Sequence, residues 1–455
     1  MSSRKVLLFI VCVLAVIFGL SCLVPEDGFA LGNVRLSYPT SDDILSQMMP
    51  DSAKEAELSP EELMADRVRA LSSAEFMVDN PARFHFPADK PNALDDFFAA
   101  LDRAKSEPVR IMHYGDSQLE EDRITGSLRD SLQERFGGYG PGLLPLDKYY
   151  TRSVSVVPTA LPRKYAVFGF IAPKRKGGLY GPMGMVSAID TSLSVNISAY
   201  SKSTSTSSLF SRISVLAGRS TSESTITLDK DSHLLPADPD TRDIRWIDFE
   251  LPDSTSKAKI SVGRGVEIYG LLVGSESGVG VDNIPMRGSA GEVFTAMNSG
   301  QLSSYIEKAG VRLLILQYGG NIVPFTSRDE SISKYARSID SQLKHLRKIA
   351  PRCDIIFIGP SDMSTNVRGT MTTYPQLPAI VDSLRTVVNE NGAVFWDMYS
   401  AMGGNGSMTR WVNSKPALAG SDYVHFTRKG SEKMGGLLYG TLMLYYDNYR
   451  TRKEQ

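Results

Sequence analysis

Hydrophobic and polar positions divide the chain into four stretches. Val6 to Val24 is one uncharged apolar run behind Arg4 and Lys5. At about 1.5 Å of helix rise per residue, it nearly covers a hydrocarbon core of about 30 Å. From residue 31 the pattern breaks up. Pro39, Ser41-Asp42-Asp43 and Pro50-Asp51 are turn formers with little periodicity between them. Ser59-Pro60-Glu61-Glu62 reads as a helix start, with Pro at the first helical position and acids in the first turn. Ala93 to Lys105 predicts a further helix, because Leu94, Phe97, Phe98 and Leu101 share a face.

Strands and helices then alternate. Val109 to Tyr114 is a β-favouring run ending at Gly115. Leu119 to Phe136 repeats Ile124, Leu128, Leu132 and Phe136 every four residues and stops at Gly137-Gly138. The alternation returns with strands at Val311–Gln317, Asp354–Ile358 and Ala393–Trp396. Helices are expected over Ser331–Ala350, around Ile380 to Val388, and over Gly430–Tyr446. Uninterrupted apolar strands between helices predict a parallel sheet covered on both faces. Between Tyr149 and Gly274 the pattern is different. Ser and Thr are dense, and short alternating runs such as Leu193-Ser194-Val195-Asn196-Ile197 and Ala258-Lys259-Ile260-Ser261-Val262 recur at roughly ten-residue spacing. This period-2 signal predicts an all-β sandwich inserted in the α/β domain.

Composition narrows the class. The 455 residues are 42 % hydrophobic and 22 % charged, which excludes global disorder. Fifty basic and 51 acidic side chains leave a net charge of −1, so no nucleic-acid partner is expected. Of three cysteines, Cys12 and Cys22 lie in the first apolar run, so the body has no disulfide framework, and Cys353 reads as a buried structural thiol. No metal-ligand spacing and no phosphate or dinucleotide loop appears, so no cofactor is expected. The N-terminal segment reads as an export signal. Gly28-Phe29-Ala30 offers a cleavage site, Cys22 offers lipidation (although Gly19 departs from that motif), and retention as a membrane anchor is the third outcome. Each places the body outside the cytoplasm, in the periplasm or cell envelope.

Three segments carry candidate chemistry. In Val109–Gln118 a strand turns sharply into a helix at Gly115-Asp116-Ser117, which sets the Ser117 hydroxyl at the carboxyl end of a parallel strand. Gln317-Tyr318-Gly319-Gly320-Asn321 ends a second strand. Asp422-Tyr423-Val424-His425 precedes the last helix, and its spacing of three lets a carboxylate fix an imidazole. Each is weak alone. In this order the combination resembles the SGNH (GDSL-like) hydrolase superfamily, over roughly residues 105–150 and 275–447. Gly115-Asp116-Ser117 matches the nucleophile block, although Gln118 replaces the Leu of the family's name. Gly319 and Asn321 match the Gly-x-Asn block, and Asp422 and His425 the Asp-x-x-His block. The block with a lone glycine falls in Val281–Gly291, with Gly288 preferred and Gly291 a possible misregister.

The run His113–Gln118, followed by Asp122-Arg123-Ile124-Thr125 and Phe136-Gly137-Gly138, resembles an envelope-associated bacterial branch. Relatives of that kind act on O-acetyl groups of peptidoglycan or other polysaccharides, and some carry an inserted β-sandwich. The resemblance implies a three-layer α/β/α, flavodoxin-like sheet with an inserted jelly-roll-like sandwich. The organisation expected is a signal or anchor over 1–30, a tether with N-terminal helices over 31–105, hydrolase parts over 106–149 and 275–455, and the sandwich over 150–274, which resembles carbohydrate-binding modules in size. It implies Ser117 as nucleophile, His425 as base and Asp422 as its partner. Ser117, Gly288 and Asn321 would form the oxyanion hole. Among the other histidines, His345 is expected on a solvated helix face, His85 and His233 outside the α/β pattern, and His113 on the nucleophile's own strand, pointing away from Ser117. Asp116 reads as a turn residue. The expected activity is removal of O-acetyl groups from an envelope glycan, with an O-acetyltransferase, an acetyl-xylan-type esterase and an inactive glycan-binding protein as alternatives.

Overall fold

The computed structural model describes residues 76–454 except Lys176, Lys202 and Ser327, and a short hairpin near the N-terminus. The chain divides into two units, Met1–Leu71 and Ser72–Gln455. In the first, Phe29–Leu31 pairs antiparallel with Val34–Leu36. The apolar run of residues 6–24 and the helix expected from Ser59 lie outside the described residues. Within the described residues, no helix is long and apolar enough to cross a membrane.

The second unit is built on a six-stranded sheet. Its strands are Phe84–His85 (β1), Pro108–Gly115 (β2), Gly278–Pro285 (β3), Val311–Gln317 (β4), Asp354–Ile358 (β5) and Val394–Trp396 (β6), in the spatial order β3-β2-β4-β5-β6-β1. Every pair from β3 to β6 is parallel, and β1 closes the edge antiparallel to β6. Alternation along β2 explains why both faces are covered. Val109 and Ile111 enter a core with helices Asp95–Asp102 (α1), Arg123–Phe136 (α2) and Arg428–Glu454 (α6). Met112 and Tyr114 face a second core with helices Ser299–Lys308 (α3), Asp329–Ile349 (α4) and Leu377–Glu390 (α5). Helices lie on both faces of a parallel sheet, as the alternating pattern requires.

The stretch between β2 and β3 folds into two antiparallel sheets. One runs in the order 231–235, 224–228, 257–262, 193–199, 154–158, 149–150; the other runs 245–255, 210–220, 266–274, 185–189, 163–166, with Gly142–Leu144 added beside 266–274. Their facing sides bury Val195, Ile197, Ile213, Val215, Phe249 and Ile260. The second sheet is also covered on its other side. Leu216 and Tyr269 belong to the core shared with α3 and α4. Trp246 stacks on Tyr305 of α3 at 5.6 Å, and Gln301 donates to the Tyr269 hydroxyl at 2.9 Å.

Three expectations are corrected. Leu119–Phe136 is not one helix: a 3-10 turn over Ser117–Asp122 ends at Glu121 (φ 57°) and Asp122 (φ 62°), and α2 starts only at Arg123. The Asp122 carboxylate holds this break by a fully buried two-pronged pair with Arg129 at 2.6 and 2.9 Å, and Arg129 also donates to the Val281 carbonyl. Second, His85 lies within the central sheet, on β1, where the adjoining Trp396 indole donates to Ala82 and Asn389 to the His85 carbonyl. Third, His345 is half-buried on α4 rather than solvated, with Nε2 enclosed and unpartnered, and burial beside Lys348 lowers its pKa.

Candidate active site

Four loops meet at one edge of the sheet, three leaving the carboxyl ends of β2, β3 and β4 and one preceding α6. The first leaves β2 at Gly115, where a Cβ would come within 2.6 Å of Leu119 Cδ1 and 3.2 Å of the Gln317 carbonyl, so glycine leaves room for this close approach. Asp116 caps the turn by accepting from the Gln118 N–H at 3.0 Å. Ser117 follows, at the first position of the 3-10 turn. The second loop follows β3. It is tied to the first by Met286 N–H donating to the Gly115 carbonyl at 2.7 Å, and it carries Gly288 at φ 77°. The third leaves β4 through Gly319 (φ 115°) and carries Asn321. Its side-chain amide donates to Asp116 Oδ2 at 3.1 Å and to the Ser289 carbonyl at 3.0 Å, joining three of the loops.

The fourth loop precedes α6. It is a compact, non-helical turn closed by Gly420 N–H to the His425 carbonyl at 2.8 Å, with Tyr423 at φ 57°. Asp422 folds back on it. Its Oδ1 accepts from the Val424 and His425 N–H groups, each at 3.1 Å, and its Oδ2 lies 2.7 Å from His425 Nδ1. Partial burial raises the Asp422 pKa, but the imidazole and the two backbone donors outweigh it and hold the carboxyl below its ordinary value. With Nδ1–H engaged, Nε2 is left to accept, and Ser117 Oγ sits 2.8 Å from it. A hydroxyl, an imidazole and a carboxylate thus form one chain of hydrogen bonds, brought together from residues 117 and 422–425.

Ser117 and His425 line a cavity of about 250 Å³ with Gly288, Asn321, Gln317, Pro360 and Met363, and Asp422 stands behind the imidazole. Gly291 lies elsewhere, where a Cβ would come within 2.7 Å of the Tyr318 ring, and of the two glycines Gly288 is the one that lines the cavity. His113 points away from the cavity as expected. It is wholly buried between Gln317 and the Thr125 hydroxyl, and burial lowers its pKa to about 3. His233 stands on an edge strand of the sandwich, its ring edge-on to Phe249.

Several contributors were not read from the sequence. Gln118 brackets the imidazole-bearing loop: its Nε2 donates to the Val424 carbonyl at 2.7 Å, and its Oε1 accepts from the Phe426 N–H at 3.2 Å. The residues on either side of His425 are therefore pinned to the neighbour of Ser117. Asp116 is more than a turn residue, since it also anchors Asn321; burial pushes its pKa up to about 6, against the Gln118 N–H and the nearby imidazole. Phe170 and Arg287 also line the cavity, and Phe170 arrives from the loop after the sandwich strand Arg163–Ala166. Its ring would lie 3.5 Å from a Cβ on Gly288. The departure of Gln118 from Leu was visible, but its two tertiary partners were not.

No family model matches the chain. No curated protein sequence matches it either. Among solved structures it is similar to a peptidoglycan O-acetylesterase, with a TM-score of 0.64 and 20 % identity over 80 % of this chain and 99 % of that one. Family two carbohydrate esterases from Cellvibrio japonicus (TM-score 0.26, 10 % identity, 65 % of this chain and 98 % of that one) and Clostridium thermocellum (0.26, 10 %, 59 % and 100 %) also align, with poor overlays. The first of these likenesses shows the fold: a three-layer α/β/α sheet with a β-rich addition.

Proposed function

We propose that this protein is an exported serine esterase that removes O-acetyl groups from an envelope polysaccharide, with peptidoglycan as the favoured substrate. The observation that carries this reading is the chain from Asp422 through His425 to Ser117, with links of 2.7 and 2.8 Å, opening into a cavity at the carboxyl end of a parallel sheet. The fold shared with a peptidoglycan O-acetylesterase supports the same reading. The apolar segment behind Arg4 and Lys5 supports export.

The geometry supports the following mechanism. Ser117 Oγ attacks the acetyl carbonyl carbon while His425 Nε2 takes its proton, and Asp422 stabilises the imidazolium that results. The carbonyl oxygen becomes an oxyanion to be held by the Ser117 and Gly288 N–H groups and by the Asn321 amide, which must first release Asp116 or Ser289, because both of its hydrogens are donated there in the resting site. Collapse breaks the bond to the sugar oxygen, which leaves as an alcohol with the proton from Nε2, and acetyl-Ser117 remains. Water, deprotonated by the same imidazole, attacks the acetyl group and releases acetate and free Ser117.

The test is acetate release by the purified protein from O-acetylated peptidoglycan, from acetylated xylan and from p-nitrophenyl acetate. Release from peptidoglycan and from the small ester is expected. Acetate from xylan but none from peptidoglycan moves the substrate to another polysaccharide, and inactivity on all three overturns the esterase.

A further inference from the structure

At about 250 Å³, the nucleophile's cavity lies below the range of roughly 300–1,000 Å³ that encloses a drug-sized ligand. It has room for an acetyl group and little of the sugar that bears it. The cavity does not end blindly. Phe170 and Arg287 also line a neighbouring hollow of about 620 Å³, whose floor includes Tyr149 and Tyr150. Glu121 and Tyr150 are shared in turn with a third hollow of about 870 Å³, which reaches Tyr200 and Arg428. Through these shared walls the three hollows adjoin in a row. This groove of adjoining hollows runs from Ser117 along the seam between the central sheet's loops and the sandwich.

The side chains in this groove are of a particular kind. Among the described residues four aromatic rings stand out as exposed: Tyr150, Phe170, Tyr200 and Phe325. The first three all line the groove. An exposed ring forgoes burial, so three along one path mark a surface made for a ligand. Between the rings the charge alternates. In the far hollow each arginine has an acidic neighbour: Arg123 lies by Glu121, Arg152 is paired with Asp130 and with Glu432, and Arg428 also reaches Glu432. Balanced charge gives no attraction for a polyphosphate or an anionic bilayer, both of which need clustered basic residues. Rings that stack on the C–H faces of pyranose units, spaced by donors and acceptors for their hydroxyls, suit a polysaccharide strand.

We infer that this groove is the binding track for an extended polysaccharide chain, whose acetylated unit sits at Ser117 while units further along the strand rest on Tyr150 and Tyr200. The inference rests on the esterase reading for the direction of the chain, but binding on the track is measurable without turnover. Neither tyrosine touches the reacting atoms. The Tyr200 hydroxyl donates only to the Thr151 carbonyl, at 3.3 Å.

The experiment compares the full chain with its Tyr150→Ala/Tyr200→Ala double variant, and with the Tyr150→Phe/Tyr200→Phe pair that keeps the rings. Turnover of p-nitrophenyl acetate is expected to stay within about twofold in all three, which also shows that the fold is retained. Cosedimentation with insoluble peptidoglycan, in a Ser117→Ala background, is expected to weaken about tenfold for the alanine pair and little for the phenylalanine pair. Acetate release per unit of O-acetylated peptidoglycan should fall in parallel. Unchanged sedimentation of the alanine pair overturns the track, and so does failure of the parent to bind peptidoglycan at all. Loss of small-ester turnover in the wild type strikes the esterase reading instead and leaves the sedimentation result to decide the groove.

Discussion

The two sheet systems of this protein solve different problems. In the central sheet β2 to β6 all run one way, so every loop at their carboxyl ends opens on the same edge. Residues 117, 288, 321 and 425, far apart in sequence, meet there. In the sandwich, neighbouring strands alternate in direction, and its loops are shared between opposite ends. No comparable gathering of reactive groups follows from that geometry. The sandwich instead supplies rings, Phe170 at the cavity and Tyr150 and Tyr200 along the groove. Uniform strand direction concentrates chemistry, and alternating direction builds walls. The second sandwich sheet is nevertheless covered by α3 as well as by its partner sheet, so the two regions share one core.

The sharpest way to break this division is to remove the reactive groups one region at a time. Ser117→Ala and His425→Ala are each expected to cost about 10⁴-fold or more in kcat, with the double variant hardly worse, because the three groups act as a unit. His233→Ala, in the sandwich, should change turnover less than about twofold. Steady-state kinetics on p-nitrophenyl acetate decide this, with thermal melting to show that each variant folds. Activity in Ser117→Ala near that of the wild type would falsify the covalent route. Next in size is Asn321→Ala, expected to lose about 10²–10³-fold, mainly in kcat. A change confined to KM would make Asn321 a substrate-binding residue.

Much of the central region was legible because its signals are local. Val109–Tyr114 lacks one residue at each end of β2, and the inward positions Ile332, Tyr335, Ile339, Leu343 and Leu346 of α4 are all buried. What escaped notice depends on partners distant in sequence. The β3 run Gly278–Pro285 contains Asp282 and Asn283, which look wrong for a buried strand. They are accepted because Arg110 and Tyr305 bond Asp282, while Thr125, Tyr149 and the Leu119 carbonyl bond Asn283. Glu120, Glu121 and Asp122 resemble the acidic first turn of a helix, and only the pairing of Asp122 with Arg129 reveals a break. Ser117, Asp422 and His425 were readable from their motifs, but the distances between them were not. Phe170 carries no motif.

A smaller effect separates positioning from reaction at the site itself. Gln118→Leu restores the residue that names the wider family and removes both bonds to the loop around His425. It leaves the Val424 carbonyl and the Phe426 N–H without these partners, at about 1–3 kcal/mol for each group left buried. The imidazole should then wander from Ser117. We expect kcat to fall about 10- to 100-fold with KM within twofold, and labelling of Ser117 by a fluorophosphonate to slow in step. A purely structural role would lower the melting temperature and leave kcat intact well below it. Gln118→Glu keeps the acceptor for Phe426 but loses the donor to Val424, so it should fall between the two.

The smallest effect lies at the opposite, amino-terminal end of the same sheet. Asp354 opens β5 and accepts from the Phe97 N–H of α1 at 2.9 Å. Burial pushes its pKa up to about 7; the Phe97 donor and Arg347 oppose this, while Asp95 and Asp96 add to it. An acid raised in this way binds its proton more tightly folded than unfolded. Its stabilising share is therefore complete below the ordinary value of 3.8 and is lost as pH rises towards 7, where the folded state must bury a charge. Asp354→Asn keeps an acceptor for Phe97 and carries no charge at any pH. The variant should melt close to the wild type at pH 4 and about 3–5 °C above it at pH 8, with the gap opening between those values. Melting curves across pH 4–8 measure it directly. A gap that is constant or closes as pH rises would mean that this carboxylate is solvated or paired in the folded protein, and that the sheet's amino end tolerates charge as readily as its reactive edge.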